Sequence, residues 1–295
     1  MLSRMTSATT ARRIAALAAV AGLALPLGAC GKDKATTADP AASPSASSAP
    51  VATTDPSPSP STSSTPAGNI TGSITVLAAS SLTESFEKLK ASFLTKYPGT
   101  DITFQFGSSA TLAEQITQGA PADAFAAASP KTMETVTTAG DADGTPTTFV
   151  RNRLEIAVPA SNPGGVTGLN DFTKGDLKIA LCDSAAPCGS AADKLFTAVG
   201  ITPSPDTREK DVKSVLLKVE SGEVDLALVY HTDVVASDPA KVKGIAFTDS
   251  DQAINDYPIA LLKDSKNHDT AAAWVAYVLS AEGKQVLKDA GFEIA

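Results

Sequence analysis

The feature that most limits what this chain can fold into is a unit that recurs between Ser73 and Val229. A short β-branched run gives way to a turn of small residues, and then to apolar residues at helical spacing. Ser73–Leu77 is the first run; behind Ser80 and Ser81, the residues Leu82, Phe86, Leu89 and Phe93 mark one face of a helix that Tyr97-Pro98-Gly99 closes. Ile102–Phe106, Gly107-Ser108-Ser109 and Leu112–Ile116 repeat the order. So do Leu177–Leu181, the stretch CDSAAPCGS and a helix containing Leu195. A fourth unit runs helix first, Val212–Val219, then Gly222 and a strand over Val224–Val229. Alternation at this length predicts an α/β fold with largely parallel sheets, whose ligands bind beyond the carboxyl ends of the strands. Arg153–Val158 and Tyr257–Leu262 are extended apolar runs that suit paired hinge segments between two lobes. The C-terminus reads as two helices, Thr270–Leu279 and then Ala281–Ala290 capped by Ser280.

Only part of the chain takes part in this pattern. Residues 1–29 hold Arg4, Arg12 and Arg13, an apolar run from Ile14 to Leu27, and small residues before Cys30, the order of an export signal. The run is shorter than the roughly 20 residues a spanning helix needs. LGAC at Leu27–Cys30 resembles the lipobox of bacterial lipoproteins, which would make Cys30 the lipidated first residue of the mature protein; a cysteine standing by chance near an ordinary cleavage site is the other reading. Residues 31–72 carry seven prolines among Ser, Thr, Ala and Gly, with little to bury. They are expected to form a disordered tether, reaching about 35 Å as a flexible coil. The expected division is therefore a signal at 1–29, lipidated Cys30 and tether at 30–72, one lobe at 73–152 plus 262–295, and a second at 153–261.

Charge and cysteines narrow the partners. The chain carries −8 at neutral pH, and losing the three arginines of residues 1–29, which hold no acid, leaves −11. Nucleic acid is excluded as a partner on that balance. With Cys30 assigned to lipid, Cys182 and Cys188 remain, and export favours a disulfide between them. A metal site would need more ligands, and the two histidines, His231 and His268, lie far away in sequence.

The two hydroxyls in LAASSLTESF pose the functional question. Ser81-Leu82-Thr83-Glu84 fits a capping box, with Glu84 reaching back to the serine amide. A cap does not account for the same strand, hydroxyl turn and helix at Gly107-Ser108-Ser109. Helix N-termini leave amides unpaired and partly positive, so several that converge form an anion site without a cation.

The stretches ITVLAASSLTESF, FGSSATLAEQITQGAPADAFAAAS, APCGSA, KDVKSVLLKVESGEVDLALVY and YPIAL…LSAEGKQVLKDAGF resemble the molybdate-binding proteins of ABC importers. The resemblance covers residues 73–295, and SATLAEQITQGAPAD is its most specific part. It implies the two-lobed type II periplasmic-binding fold with a ligand in the interlobe cleft. The implied ligand set is the hydroxyl and amide of Ser81 and of Ser109, the amides of Cys188 and Val212, and the hydroxyl of Tyr230. No separate metal site or cofactor is implied, since the metal arrives as its oxyanion, molybdate or tungstate. A monomer that hands its cargo to a membrane permease driven by an ATPase is implied as well. Cys188 departs from the small residue the family often has there, which is tolerable where only its amide binds. Glu84 is expected to face away from Ser81, because a carboxylate beside the anion would oppose binding.

An all-donor set favours fully deprotonated tetrahedral dianions over hydrogen phosphate, whose proton needs an acceptor. Sulfate, phosphate, an organic anion or a metal chelate are the alternative ligands. A surface lipoprotein that binds a protein partner is a further alternative. An exported serine hydrolase using Ser80 or Ser81 is the remaining one, but the chain has no G-x-S-x-G elbow, so the expectation is a binding protein and no enzyme.

Overall fold

The computed structural model describes residues 70–295. The signal, Cys30 and nearly all of the expected tether lie outside the described residues. β1 (Thr71–Ala79) leads through a 3-10 turn at Ser80–Leu82 into α1 (Thr83–Lys96), and β2 (Gly99–Gly107) leads into α2 (Ser109–Thr117). β3 (Ala124–Ala126), α3 (Pro130–Ala139) and β4 (Ala142–Asn152) complete the first excursion. The chain then forms β5 (Leu154–Pro159), β6 (Ile179–Cys182), α4 (Pro187–Ala198), β7 (Thr207–Glu209), α5 (Val212–Glu220), β8 (Leu226–Tyr230), α6 (His231–Ala236) and β9 (Val242–Ile245). It returns through β10 (Asn255–Leu262), α7 (His268–Leu279), α8 (Ala281–Asp289) and β11 (Glu293–Ile294).

Two sheets result, in the orders β11-β4-β10-β3-β1-β2 and β7-β6-β8-β5-β9. Four of six strands in the first and four of five in the second run one way, so the fold is α/β as the alternation predicts. The strands against the grain are β10 and β11 in one sheet and β5 in the other. β10 and β5 each follow a crossing between lobes, and a strand that arrives from the other lobe enters its sheet from the opposite end.

The helical spacing around Leu82 is explained by packing. Leu82, Phe86, Leu89 and Phe93 are all fully buried, and Trp274 of α7 meets Phe86 and Phe93 edge-on with ring centroids 5.6 and 5.4 Å apart. Burying side chains of this size is worth about 1.5–3 kcal/mol each. Ser280 caps α8 by accepting from the Gly283 amide at 3.1 Å. A Cβ on Gly283 would stand 2.3 Å from the Tyr277 carbonyl, so only glycine lets the two helices meet at that angle.

Sheet membership corrects the lobe limits read from sequence. β1 begins at Thr71 and pairs Thr71 and Gly72 with Gly99 and Thr100, so these two residues belong to the first lobe and not to the tether. β10 lies wholly in the six-stranded sheet, between β4 and β3. The second crossing therefore falls at 246–254, upstream of the boundary expected at 261, because Asn255–Leu262 must complete the ladders of β3 and β4. The first crossing is as short as a chain allows, with only Arg153 between β4 and β5.

Candidate functional site

Ser81, Ser109, Cys188, Val212 and Tyr230 line one cavity between the lobes, together with Ser80, Ser108, Asp211 and short apolar residues. The five are buried, at 1–4 % exposure. Ser81 and Ser109 come from the first lobe, Cys188, Val212 and Tyr230 from the second. The volume open to the centre of a water molecule is about 10 Å3, room for a single small body.

Local structure explains how backbone amides come to face this space. Ser81 sits in the 3-10 turn ahead of α1, and Leu82 takes the N-cap position that the capping box gave to Ser81. Ser109 is the first residue of α2 and Cys188 the second of α4, after Pro187. None of these three turns has a side-chain cap on its first amides, so their amides remain available to something in the cavity. α5 differs: Asp211 caps it by accepting from the amides of Lys213 and Ser214 at 2.9 and 3.1 Å, passing over Val212. The Asp211 carboxylate also accepts from the Ser214 hydroxyl at 3.0 Å, so both of its oxygens are engaged by the cap. A disulfide joins Cys182 at the end of β6 to Cys188, and a Cβ on the next residue, Gly189, would fall 2.0 Å from the Asp183 carbonyl. Together they press the start of α4 onto the end of β6.

The three hydroxyls are tethered from behind. Ser109 Oγ accepts from the Ala128 amide at 2.9 Å, Ser81 Oγ shares a hydrogen bond of 2.8 Å with Tyr257 Oη, and Asn255 Nδ2 donates to Tyr230 Oη at 2.9 Å. Tyr230 is 1 % exposed. Burial, with Tyr257 and Asp233 adding to it, pushes its hydroxyl well above the ordinary tyrosine range, so it keeps its proton at neutral pH. Tyr257, Asn255 and Asn152 were not legible as site residues from sequence, since each supports a hydroxyl through a fold contact. The pairing of Asn255 with Asn152 across β10 and β4 is the only signal, and it needs the register.

Glu84 does not reach back to Ser81. Its carboxylate pairs with Lys213 Nζ at 2.8 Å, across the lobe boundary, and the capping box of the sequence is not formed. Lys213 Nζ also stands 3.1 Å from Asp233 Oδ1, near enough to pair charges. Burial works to lower the Lys213 pKa, and the carboxylates of Asp233 and Glu84 outweigh it and raise it. Burial pushes Asp233 up despite Lys213. No lysine or arginine lines the cavity itself.

Catalytic alternatives find little geometry. His231 Nδ1 is bonded to Glu155 Oε2 at 2.6 Å, and His268 Nε2 to Asp143 Oδ2 at 2.8 Å. Neither histidine lines the cavity that holds Ser80 and Ser81. Among the described residues there is no cluster of His, Cys, Asp and Glu that could hold a metal ion, and no helix is long and apolar enough to cross a membrane.

Residues 74–293 match the family described as bacterial extracellular solute-binding protein. The molybdate-binding protein ModA of Mycobacterium tuberculosis is 38% identical over 220 residues, covering 75% of this chain and 84% of that protein. The molybdate-binding protein ModA of Escherichia coli is 32% identical over 234 residues, covering 76% and 90%. The solved periplasmic molybdate-binding protein of Azotobacter vinelandii superposes with a TM-score of 0.64 at 21% identity, covering 75% of this chain and 99% of that one, a likeness of fold. With its two sheets, its interlobe cavity and this match, the chain belongs to the family of bacterial extracellular solute-binding proteins.

Proposed function

We propose that this protein captures molybdate in the interlobe cavity, holding it with neutral donors alone. The observation that carries the reading is the convergence of uncapped helix N-termini and three tethered hydroxyls on one small space. The relatives named for molybdate binding supply the identity of the anion. Seven donors are available: hydroxyl and amide of Ser81 and Ser109, the amides of Cys188 and Val212, and the Tyr230 hydroxyl. At about 1.5–3 kcal/mol for each bond to a charged group, the gross gain is on the order of 10–20 kcal/mol. Dehydration of the anion and closure of the lobes consume much of it, and micromolar binding needs only about −8 kcal/mol.

Tungstate, of similar charge and shape, is bound comparably. The anion enters between separated lobes; closure is favoured because only the closed form completes the donor set. The loaded protein then docks on an importer permease, and a lipid on Cys30, with the tether after it, keeps it at the outer face of the membrane. Thermal unfolding in a panel of oxyanions tests the reading. Molybdate and tungstate should raise the midpoint, phosphate should not, and sulfate should do so only at high concentration. A panel without any shift rejects it.

A further inference from the structure

Asn255 opens β10 at the second crossing between lobes, 7 % exposed, and its amide nitrogen makes two hydrogen bonds. One goes to the Ala128 carbonyl at 2.7 Å, the other to Tyr230 Oη at 2.9 Å. A carbonyl can only accept, so the Ala128 contact fixes which end of the Asn255 amide is nitrogen. The same nitrogen then faces Tyr230, and Tyr230 Oη is obliged to accept. Its own proton must point elsewhere: the Tyr257 hydroxyl is one acceptor beside it, and the cavity that the Tyr230 oxygen borders offers a bound anion as the other. Ala128 is held at its other end too, since its amide donates to Ser109 Oγ and leaves that serine's proton free.

We infer that Asn255 is a positioning residue that determines specificity: by donating to Tyr230 Oη it forces that hydroxyl to be a donor towards the bound anion. The inference rests on the oxyanion reading of the cavity. Tyrosine and serine hydroxyls can donate or accept, so a site containing three of them is not donor-only by composition. A rotated Tyr230 would offer a lone pair to the proton of hydrogen phosphate and admit it. Asn255 closes that option, and since it is anchored to Ala128 within the first lobe, its bond to Tyr230 of the second ties the constraint to the lobe contact. Its cross-strand neighbour Asn152, donating to Thr232 Oγ1 at 2.8 Å, makes a second buried amide link at the same boundary.

The test compares molybdate and phosphate affinities, by titration calorimetry with phosphate read in competition, at mildly alkaline pH where phosphate is its monoprotonated dianion. In Asn255→Asp the carboxylate accepts from Tyr230 and turns the proton away from the cavity. The molybdate-to-phosphate affinity ratio should fall by about tenfold or more, the scale of one charged hydrogen bond. Both anions carry two charges, so repulsion by the new carboxylate cancels in the ratio. Asn255→Ser, which removes the obligatory donor without adding charge, should lower the ratio in the same direction and serves if the aspartate variant does not fold. In a Tyr230→Phe background, Asn255→Asp should leave the ratio within about twofold. A ratio unchanged in both Asn255 variants, or a change that persists without the Tyr230 hydroxyl, overturns the inference while leaving molybdate binding intact. A wild-type protein that binds neither anion overturns the oxyanion reading and this inference with it.

Discussion

Ser81 and Ser109 each offer a hydroxyl and an amide, so replacing the side chain removes half of what the residue gives. Ser81→Ala and Ser109→Ala should each weaken molybdate about 10–100-fold, the loss of one bond of about 1.5–3 kcal/mol to a charged group, read by calorimetry. Tyr257 stands behind Ser81 and is fully buried; burial pushes its hydroxyl above the ordinary tyrosine range, so it too stays protonated. Cys188→Ala keeps the amide but opens the disulfide to Cys182. Closing so short a loop is worth about 2 kcal/mol, so the variant should lose about that much in chemical denaturation. Its affinity should fall less than in the serine variants.

At the scale of elements, the contact that spans the cleft is α1 to α5, through Glu84 and Lys213, with the buried Asp233 of α6 behind. Lys213→Met leaves Asp233 uncompensated and should destabilise the protein by about 3 kcal/mol at neutral pH. The Lys213 pKa is raised above its ordinary 10.5, so its stabilisation is complete below that value and is lost as pH rises through the higher folded value. An alkaline denaturation series should show this step in the wild type and lack it in Lys213→Met. Glu84 is more exposed, so Glu84→Gln should cost less than about 1 kcal/mol in stability while speeding release of the anion severalfold in stopped flow. The sequence revealed those elements whose pattern is local: α1, α5, α7 and the cap of α8 follow from spacing and from Ser280. It concealed β3, α3, β4, β7, α6, β9 and β11. β3 is three small or aromatic residues, Ala124–Ala126, without alternation, and α3 is rich in threonine; both are held by neighbours rather than by propensity. The five proposed ligand positions were reachable through a resemblance and helix-end physics, whereas Asn255 and Tyr257 acquire their proposed roles only from the register of β10.

For the whole molecule, the two crossings bring two lobes, each with its own core, onto one small cavity. A ligand that completes both halves must stabilise the fold: at a thousand times its Kd it adds about 4 kcal/mol, or about 8–16 °C for a domain of this size. The claim beneath this is that a doubly charged oxyanion is bound without any cationic side chain. A crystal structure of the molybdate-soaked protein, phased on the metal, tests it most directly. One metal peak ringed by Ser81, Ser109, Cys188, Val212 and Tyr230 is expected, with Lys213 still paired to Glu84 and Asp233; a peak seated on Lys213, or none within the cleft, would contradict binding by neutral donors.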